Sequence, residues 1–202
     1  MVPMTEDEKR QRVIEATRLA VPPFVLAAVP RGLGASEGRC LTVTRVGMEV
    51  LAYFGIESKP LVTSALSANA AWCEWQRQLQ AGEASEEMPE EAWSVGVGLA
   101  PGEGRGINAH VVLLVGEEMI DLDAAQASRP ERGMKVPTTV RLRWDPVRGA
   151  ALDLSEGGVL VYLPHKDPPQ FKHAPDWRRA PRLAGGVIRV VRKTIEREEV
   201  TA

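Results

Sequence analysis

A short apolar strand followed by a two-residue turn constrains the fold of this chain more than any other feature. The run His110–Val115 is continuously apolar after its first residue, and Met119–Asp123 carries a second run in the return direction. Gly116-Glu117 lies between them and suits the tight turn of a β-hairpin. The sequence therefore predicts two adjacent antiparallel strands joined at this turn.

The length of the turn decides which side chains share a face of this hairpin. With Gly116-Glu117 as the turn, the predicted pairing places Asp121 opposite Val112 and Asp123 opposite His110. Because side chains alternate along strands, the histidine and both aspartates share one face. Direct partners have Cβ atoms about 4.5–5.5 Å apart and diagonal partners about 7–8 Å, so either aspartate is within reach of the imidazole. A three-residue turn would move both to the opposite face.

Cys40 stands where a glycine-bearing loop, residues 31–39, meets a predicted helix. Val43, Val46 and Val50 recur at helical spacing after it. A thiol with an ordinary pKa near 8.5 is a poor nucleophile at neutral pH, and a helix N-terminus or a neighbouring imidazolium lowers that pKa. Backbone amides at the same place can donate to a developing oxyanion. The position therefore suits a reactive cysteine.

The order of these residues predicts a catalytic triad. A cysteine on a helix, then a histidine and a carboxylate on paired strands, is one way to build an activated thiolate. The predicted members are Cys40, His110 and either Asp121 or Asp123. Each residue also has a simpler interpretation: the cysteine and histidine as packed structural residues, and Asp123 as the cap of a helix at Ala124-Ala-Gln126.

The remaining pattern predicts a mixture of helices and strands. A capping box at Thr5 and Glu8 begins a helix from Glu6 to Leu19, inside residues 5–20, and Val21-Pro22-Pro23 ends it. The other expected elements, in chain order, are an ambiguous apolar stretch Phe24–Val29, a helix from Cys40 closed by Gly55, a strand at 61–67, a short helix at 72–79, a solvated acidic loop at 82–91, and strands at 93–99, 138–143, 158–163 and 187–195.

A proline-rich segment, residues 164–182, precedes the last predicted strand. It contains Phe171 and Trp177 and is expected to form a surface wrap or lid. We expect one domain over residues 1–202, with its core at about 24–163. A buried helix followed by strands is typical of an α+β arrangement.

Composition argues against several classes of protein. The net charge is −2, so a nucleic-acid partner is not expected, and no apolar run reaches the roughly 18 residues that span a bilayer. The charged N-terminus is unlike a signal peptide, which predicts a cytoplasmic protein without membrane attachment. Cys40 and Cys73 lack zinc-site spacing, and the glycine-rich run 101–106 lacks the ending of a phosphate-binding loop. Neither a metal nor a cofactor is therefore expected.

Four short runs carry a resemblance to a known family. They are Gly-Arg-Cys-Leu at 38–41, Tyr-Phe-Gly-Ile at 53–56, Asn-Ala-His-Val-Val-Leu-Leu-Val at 108–115 and Met-Ile-Asp-Leu-Asp-Ala-Ala-Gln at 119–126. Over about Gly38 to Gln126 the chain resembles the transglutaminase-like branch of the papain-like cysteine fold and, more distantly, the arylamine N-acetyltransferases. The resemblance implies an α+β fold in which a nucleophile helix packs on an antiparallel sheet that carries the histidine and aspartate.

The resemblance also implies roles for individual residues. Cys40 would be the nucleophile, His110 the general base and Asp121 the residue that orients the imidazole, with Asp123 as the alternative. The implied activity is a hydrolase or acyltransferase, acting on a peptide or protein amide or on a small acyl donor. The chain departs from the family pattern because no glutamine lies a few residues before Cys40 and because Val111 follows the histidine. These departures keep a second hypothesis open, a catalytically inactive binding or assembly module.

Overall fold

The computed structural model describes residues 4–28, 39–97, 99 and 108–201, with the backbone alone for residues 199–201. In these ranges the chain is α+β, with five α-helices and a nearly closed antiparallel sheet of seven strands. The helices are α1 Glu6–Ala28, α2 Arg39–Tyr53, α3 Ala70–Ala81, α4 Pro175–Arg179 and α5 Pro181–Thr201. The strands are β1 Lys59–Ala68, β2 Ser94–Val97, β3 His110–Val115, β4 Glu118–Asp121, β5 Val140–Arg143, β6 Ala150–Asp153 and β7 Val159–Pro164. None of the helices in this part of the chain is long and apolar enough to cross a membrane.

The long strand β1 organises the sheet, whose order is β5-β4-β3-β1-β7-β6. The first half of β1 pairs with β3, and its second half pairs with β2 on the same side and β7 on the other. The sheet curves until it is nearly closed. Side chains on its concave face can therefore meet even when their strands are not neighbours.

The hairpin of β3 and β4 has the predicted register. Val115 pairs with Glu118 and Leu113 with Ile120, which requires the two-residue turn at Gly116-Glu117. Gly116 has a φ of +62°, a left-handed conformation that side chains with a Cβ rarely adopt. The register predicted from the turn length is confirmed for Leu113–Val115 with Glu118–Ile120.

Both faces of β3 are covered, as its continuous apolar sequence requires. Leu113 and Val115 join the core that packs against α1, α2 and α5. Val112 and Leu114 join a second core on the opposite face, together with Tyr162 of β7. His110 lies on this second face at the start of the strand.

The helix α2 packs against β3 with the predicted apolar stripe. Val43, Val46 and Val50 are buried, and the chain leaves the helix through Gly55 with a φ of +72°. The hydroxyl of Thr44 donates to the carbonyl of Val111 at 2.8 Å, which joins the helix to the strand directly.

The prediction that the first helix ends before Pro22 was wrong. The helix α1 continues through Pro22 and Pro23 to Ala28, so the described part of the ambiguous stretch after Pro23 is helical. Each proline removes one backbone donor from the helix. Val21 and Val25 are fully buried in the core, and their burial offsets that loss. In the predicted loop at 31–39, only Arg39 falls within the described residues, where it begins α2.

The predicted C-terminal strand at 187–195 is also wrong, since these residues belong to α5. Val187 and Val191 are fully buried, and Ile195 packs beside them. These residues are four apart, which is helical spacing, and α5 packs against α1 and α2. The β-branched residues of this run favour a strand, but the spacing of those that become buried is helical.

The other predicted elements are found with small shifts in their ends, and β6 was not predicted. The wrap at 164–182 contains α4, and its two large aromatic residues, Phe171 and Trp177, are buried. The turn predicted at 101–106 lies outside the described residues.

Candidate active site

His110 and Asp121 are brought together by the hairpin. His110 is the first residue of β3 and Asp121 the last residue of β4, in a diagonal relation across the pair. The His110 Nε2 and Asp121 Oδ2 atoms are 2.7 Å apart, and both residues are buried. The tight turn therefore places a carboxylate against the imidazole, as the sequence predicted.

Two further donors hold the Asp121 carboxylate. The hydroxyl of Tyr162 donates to Oδ2 at 2.7 Å, and the backbone N–H of Asp123 donates to Oδ1 at 2.8 Å. Burial raises the pKa of Asp121, but the charge of His110 and these hydrogen bonds outweigh it and leave the pKa below its ordinary value. The carboxylate therefore stays ionised in a nearly dry environment.

Cys40 is the other neighbour of the imidazole, and the interaction of its side chain with the ring contributes to the raised pKa of His110. Because Nε2 faces Asp121, Nδ1 is the ring nitrogen that remains to accept a proton from a thiol. Burial lowers the pKa of His110, but the charge and hydrogen bond of Asp121, and then those of Cys40, raise it well above its ordinary value. The ring is therefore able to hold a proton beside the sulfur atom.

An apolar wall surrounds Cys40, which is only 8% exposed. It packs with Leu41, Val111, Phe171 and Trp177. The rings of Phe171 and Trp177 meet edge to face with centroids 4.8 Å apart. The proline-rich wrap thus covers one side of the sulfur and keeps water away, which strengthens electrostatic interactions there.

The Asp123 carboxylate contacts Arg39 and not the predicted partner, His110. The strand β4 ends at Asp121, so the predicted cross-strand pair between Asp123 and His110 is not formed. The Asp123 carboxylate instead accepts from Arg39, with Nε 2.7 and 2.8 Å from its two oxygens, and from the Gln126 amide. Asp123 is the N-cap residue of the 3-10 helix Ala124–Ala127, as predicted, but its side chain makes no cap bond.

Two residues of this site were missed from the sequence. Tyr162 comes from β7, and the near closure of the sheet brings it to Asp121 across two intervening strands. No local signal marks it. Arg39 falls at the end of the predicted loop, and its position directly before Cys40 is the signal that places a charged residue near the site.

The other candidate groups lie apart from this cluster. Cys73 is a free, half-buried cysteine on α3, and burial raises the pKa of its thiol. His165 approaches the carbonyl of Asn108, and His173 approaches Arg178. Within the described ranges, no group of three histidine, cysteine, aspartate or glutamate residues is arranged to hold a metal ion.

Comparisons of the chain with protein-family models, with curated proteins and with solved structures gave no match. The chemistry of the site is therefore inferred from its geometry. A thiol, an imidazole and an ionised carboxylate in series can move a proton from sulfur to nitrogen and leave a thiolate. The first turn of α2 adds backbone N–H groups, which can stabilise an oxyanion formed beside the sulfur.

Proposed function

We propose that this chain is a cysteine-dependent acyl-transfer enzyme with a transglutaminase-like variant of the papain-like fold. Cys40 is the nucleophile, His110 the general base and acid, and Asp121 the residue that orients the imidazole. The observation that supports this proposal is the buried series of contacts from Cys40 to His110 and from His110 to Asp121. Three separate elements, α2, β3 and β4, contribute one member each.

The proposed reaction has two stages. In the first, His110 takes the proton of the Cys40 thiol, and the thiolate adds to the carbonyl carbon of an amide, ester or thioester. The tetrahedral intermediate collapses, His110 gives the proton to the departing amine, alcohol or thiol, and an acyl group remains on sulfur. In the second, water or an amine attacks the acyl-enzyme with His110 again accepting the proton, and the thiol is regenerated.

The arrangement of helix and sheet supports the choice of fold family. The helix that bears the cysteine packs on the central part of an antiparallel sheet, and the histidine and aspartate lie on adjacent strands of that sheet. This is the order and placement that the resemblance between Gly38 and Gln126 implies.

The burial of Cys40 favours a second candidate function, a catalytically inactive binding module. Phe171 and Trp177 belong to the same buried cluster as Cys40, whose side chain is only 8% exposed, so the wrap limits the approach of a substrate to the sulfur. In an inactive module the same wrap would serve as a contact surface for a partner.

Acylation by p-nitrophenyl acetate distinguishes the two candidates. The ester should transfer its acetyl group to Cys40 with a burst of p-nitrophenolate, and peptide mass spectrometry should locate the acetyl group on that residue. Cys40→Ala should abolish the burst, whereas the matched variant Cys73→Ala should retain it, because burial keeps the Cys73 thiol protonated. A wild-type protein without a burst, or with acetyl groups on Cys73 alone, would contradict the enzyme proposal.

A further inference from the structure

Asp121 and Asp123 are two residues apart, yet their carboxylates bind different elements. The Asp121 carboxylate contacts the His110 imidazole, whereas the Asp123 carboxylate accepts hydrogen bonds from the Arg39 guanidinium. The backbone N–H of Asp123 donates to Asp121 Oδ1 at 2.8 Å, which links the two acidic residues. One short segment therefore contacts both the proposed base and the residue that precedes the proposed nucleophile.

The first turn of α2 needs an anchor outside the helix. The first N–H groups of any α-helix have no partner within it, so this turn is held less firmly than the turns that follow. Arg39 is the first residue of α2 and Cys40 the second. Any displacement of this turn moves the sulfur atom relative to His110.

The contact between Arg39 and Asp123 supplies such an anchor. Nε of the guanidinium lies 2.7 and 2.8 Å from the two carboxylate oxygens, and Nη2 lies 2.5 Å from Oδ1. Binding through two nitrogens of a planar group restricts orientation as well as distance. The amide of Gln126 donates to the same carboxylate and restrains it from the other side.

We propose that Arg39 and Asp123 are positioning residues that hold Cys40 within proton-transfer distance of His110. This inference rests on the proposed function, because the position of the sulfur matters only if Cys40 is the nucleophile. Arg39 and Asp123 act through the backbone of α2 and take no part in the bonds that form or break.

The surroundings of Asp123 distinguish this role from simple stabilisation of the fold. Burial raises the pKa of Asp123 to about 6, which the ion pair with Arg39 only partly opposes. Of the other charged groups facing it, Asp121 raises this pKa and His110 lowers it. An acid whose pKa is raised on folding weakens the fold when it is ionised, and Arg39, whose side chain is 25% exposed, can be hydrated when its partner loses the charge. Removing the charge of Asp123 should therefore leave stability at pH 7 equal or higher.

The test compares the reactivity of Cys40 with stability in the same variants. Asp123→Asn keeps the side-chain shape but loses the charge, and Arg39→Lys keeps the charge but loses the two-nitrogen contact. Glu118→Gln is the matched control, because it removes an ion pair between Glu118 of β4 and Arg141 of β5, outside the site. The measurements are the second-order rate constant for alkylation of Cys40 by iodoacetamide at pH 7, read by peptide mass spectrometry, and the midpoint of urea unfolding.

We expect Asp123→Asn and Arg39→Lys each to slow alkylation of Cys40 by about 10- to 100-fold, the range that a displacement near 1 Å produces. The urea midpoint of Asp123→Asn should equal or exceed that of the wild type, and Glu118→Gln should keep the wild-type rate. A wild-type rate in Asp123→Asn, or a slower rate that is matched by lost stability, would overturn the positioning role alone. If wild-type Cys40 reacts no faster than Cys73, the proposed function fails and this inference fails with it.

Discussion

The substitution Asp121→Asn tests the orientation of the imidazole, because it changes the chemistry of the site and almost nothing of its shape. In the wild type, Oδ2 of Asp121 faces His110 Nε2 and the Tyr162 hydroxyl, while Oδ1 faces the N–H of Asp123. All three partners donate to the carboxylate. An asparagine has only one oxygen to offer them.

Either orientation of the new amide disturbs the site. If its oxygen stays with the N–H of Asp123, its NH₂ group faces His110 Nε2, which then has to accept a hydrogen bond. The ring proton moves to Nδ1, and that nitrogen can no longer take the proton of the thiol. If the amide is reversed, its NH₂ group opposes the N–H of Asp123, and two buried donors are left facing each other.

The structure sets the size of the expected effect. Removing one partner of a buried ion pair costs about 3–5 kcal/mol. At 1.36 kcal/mol for each factor of ten, the state in which His110 carries the proton beside the sulfur becomes rarer by about 10² to 10⁴. We therefore expect Asp121→Asn to slow alkylation of Cys40 by iodoacetamide at pH 7 by at least about 100-fold.

Alkylation of Cys73 in the same sample provides an internal standard, since its surroundings do not include Asp121. Its rate should not change, and the circular dichroism spectrum should show that the variant is folded. A folded Asp121→Asn protein whose Cys40 reacts within threefold of the wild-type rate would refute the assigned role of Asp121.

Three further predictions concern stability. Tyr162→Phe keeps the buried ring but loses the hydrogen bond to the Asp121 carboxylate, so the free energy of unfolding should fall by about 1.5–3 kcal/mol. The melting temperature should then fall by about 3–12 °C in a circular dichroism melt, and a fall below 1 °C would contradict this prediction. The raised pKa of Asp123 means that its contribution to stability is complete below its ordinary pKa of 3.8 and is lost as pH rises through about 6. The unfolding free energy of Asp123→Asn should therefore gain about 2 kcal/mol on the wild type between pH 4 and pH 7 in urea titrations, and a difference independent of pH would count against it. Gly149→Ala places a Cβ against the carbonyl of Tyr162 at a φ of +83° and should reduce the free energy of unfolding by at least about 2 kcal/mol. The control Gly185→Ala, in an open position on α5, should raise it by about 0.4–1 kcal/mol in the same thermal melts. Equal melting temperatures for the two variants would contradict this prediction.

The hairpin at the site could be predicted because every determinant is local. The turn at Gly116-Glu117 fixes the register, and the register fixes which residues share a face with His110. The helix after Cys40 was equally accessible, because its stripe of buried valines repeats at helical spacing. These two elements contain the three residues of the proposed triad.

Contacts that depend on the whole fold could not be predicted. Tyr162 reaches Asp121 because the sheet is nearly closed, and no pattern within β7 encodes that closure. The choice between Asp121 and Asp123 depended on where β4 ends, and the ends of strands are weakly encoded in sequence. The continuation of α1 through Pro22 and Pro23 likewise depends on a core assembled from α2 and α5.

The hydrogen bond from Thr44 to the Val111 carbonyl has a consequence for how a substrate enters. The bond joins α2, which carries Cys40, to β3, which begins at His110. Thr44 lies one helical turn after Cys40, and Val111 is the residue after His110. The middle of α2 is therefore held to the start of β3, while the first turn, which carries Cys40, depends on the contact between Arg39 and Asp123. We expect an acyl donor to reach Cys40 by displacement of the wrap at Phe171 and Trp177, with Cys40 and His110 already in place when it arrives.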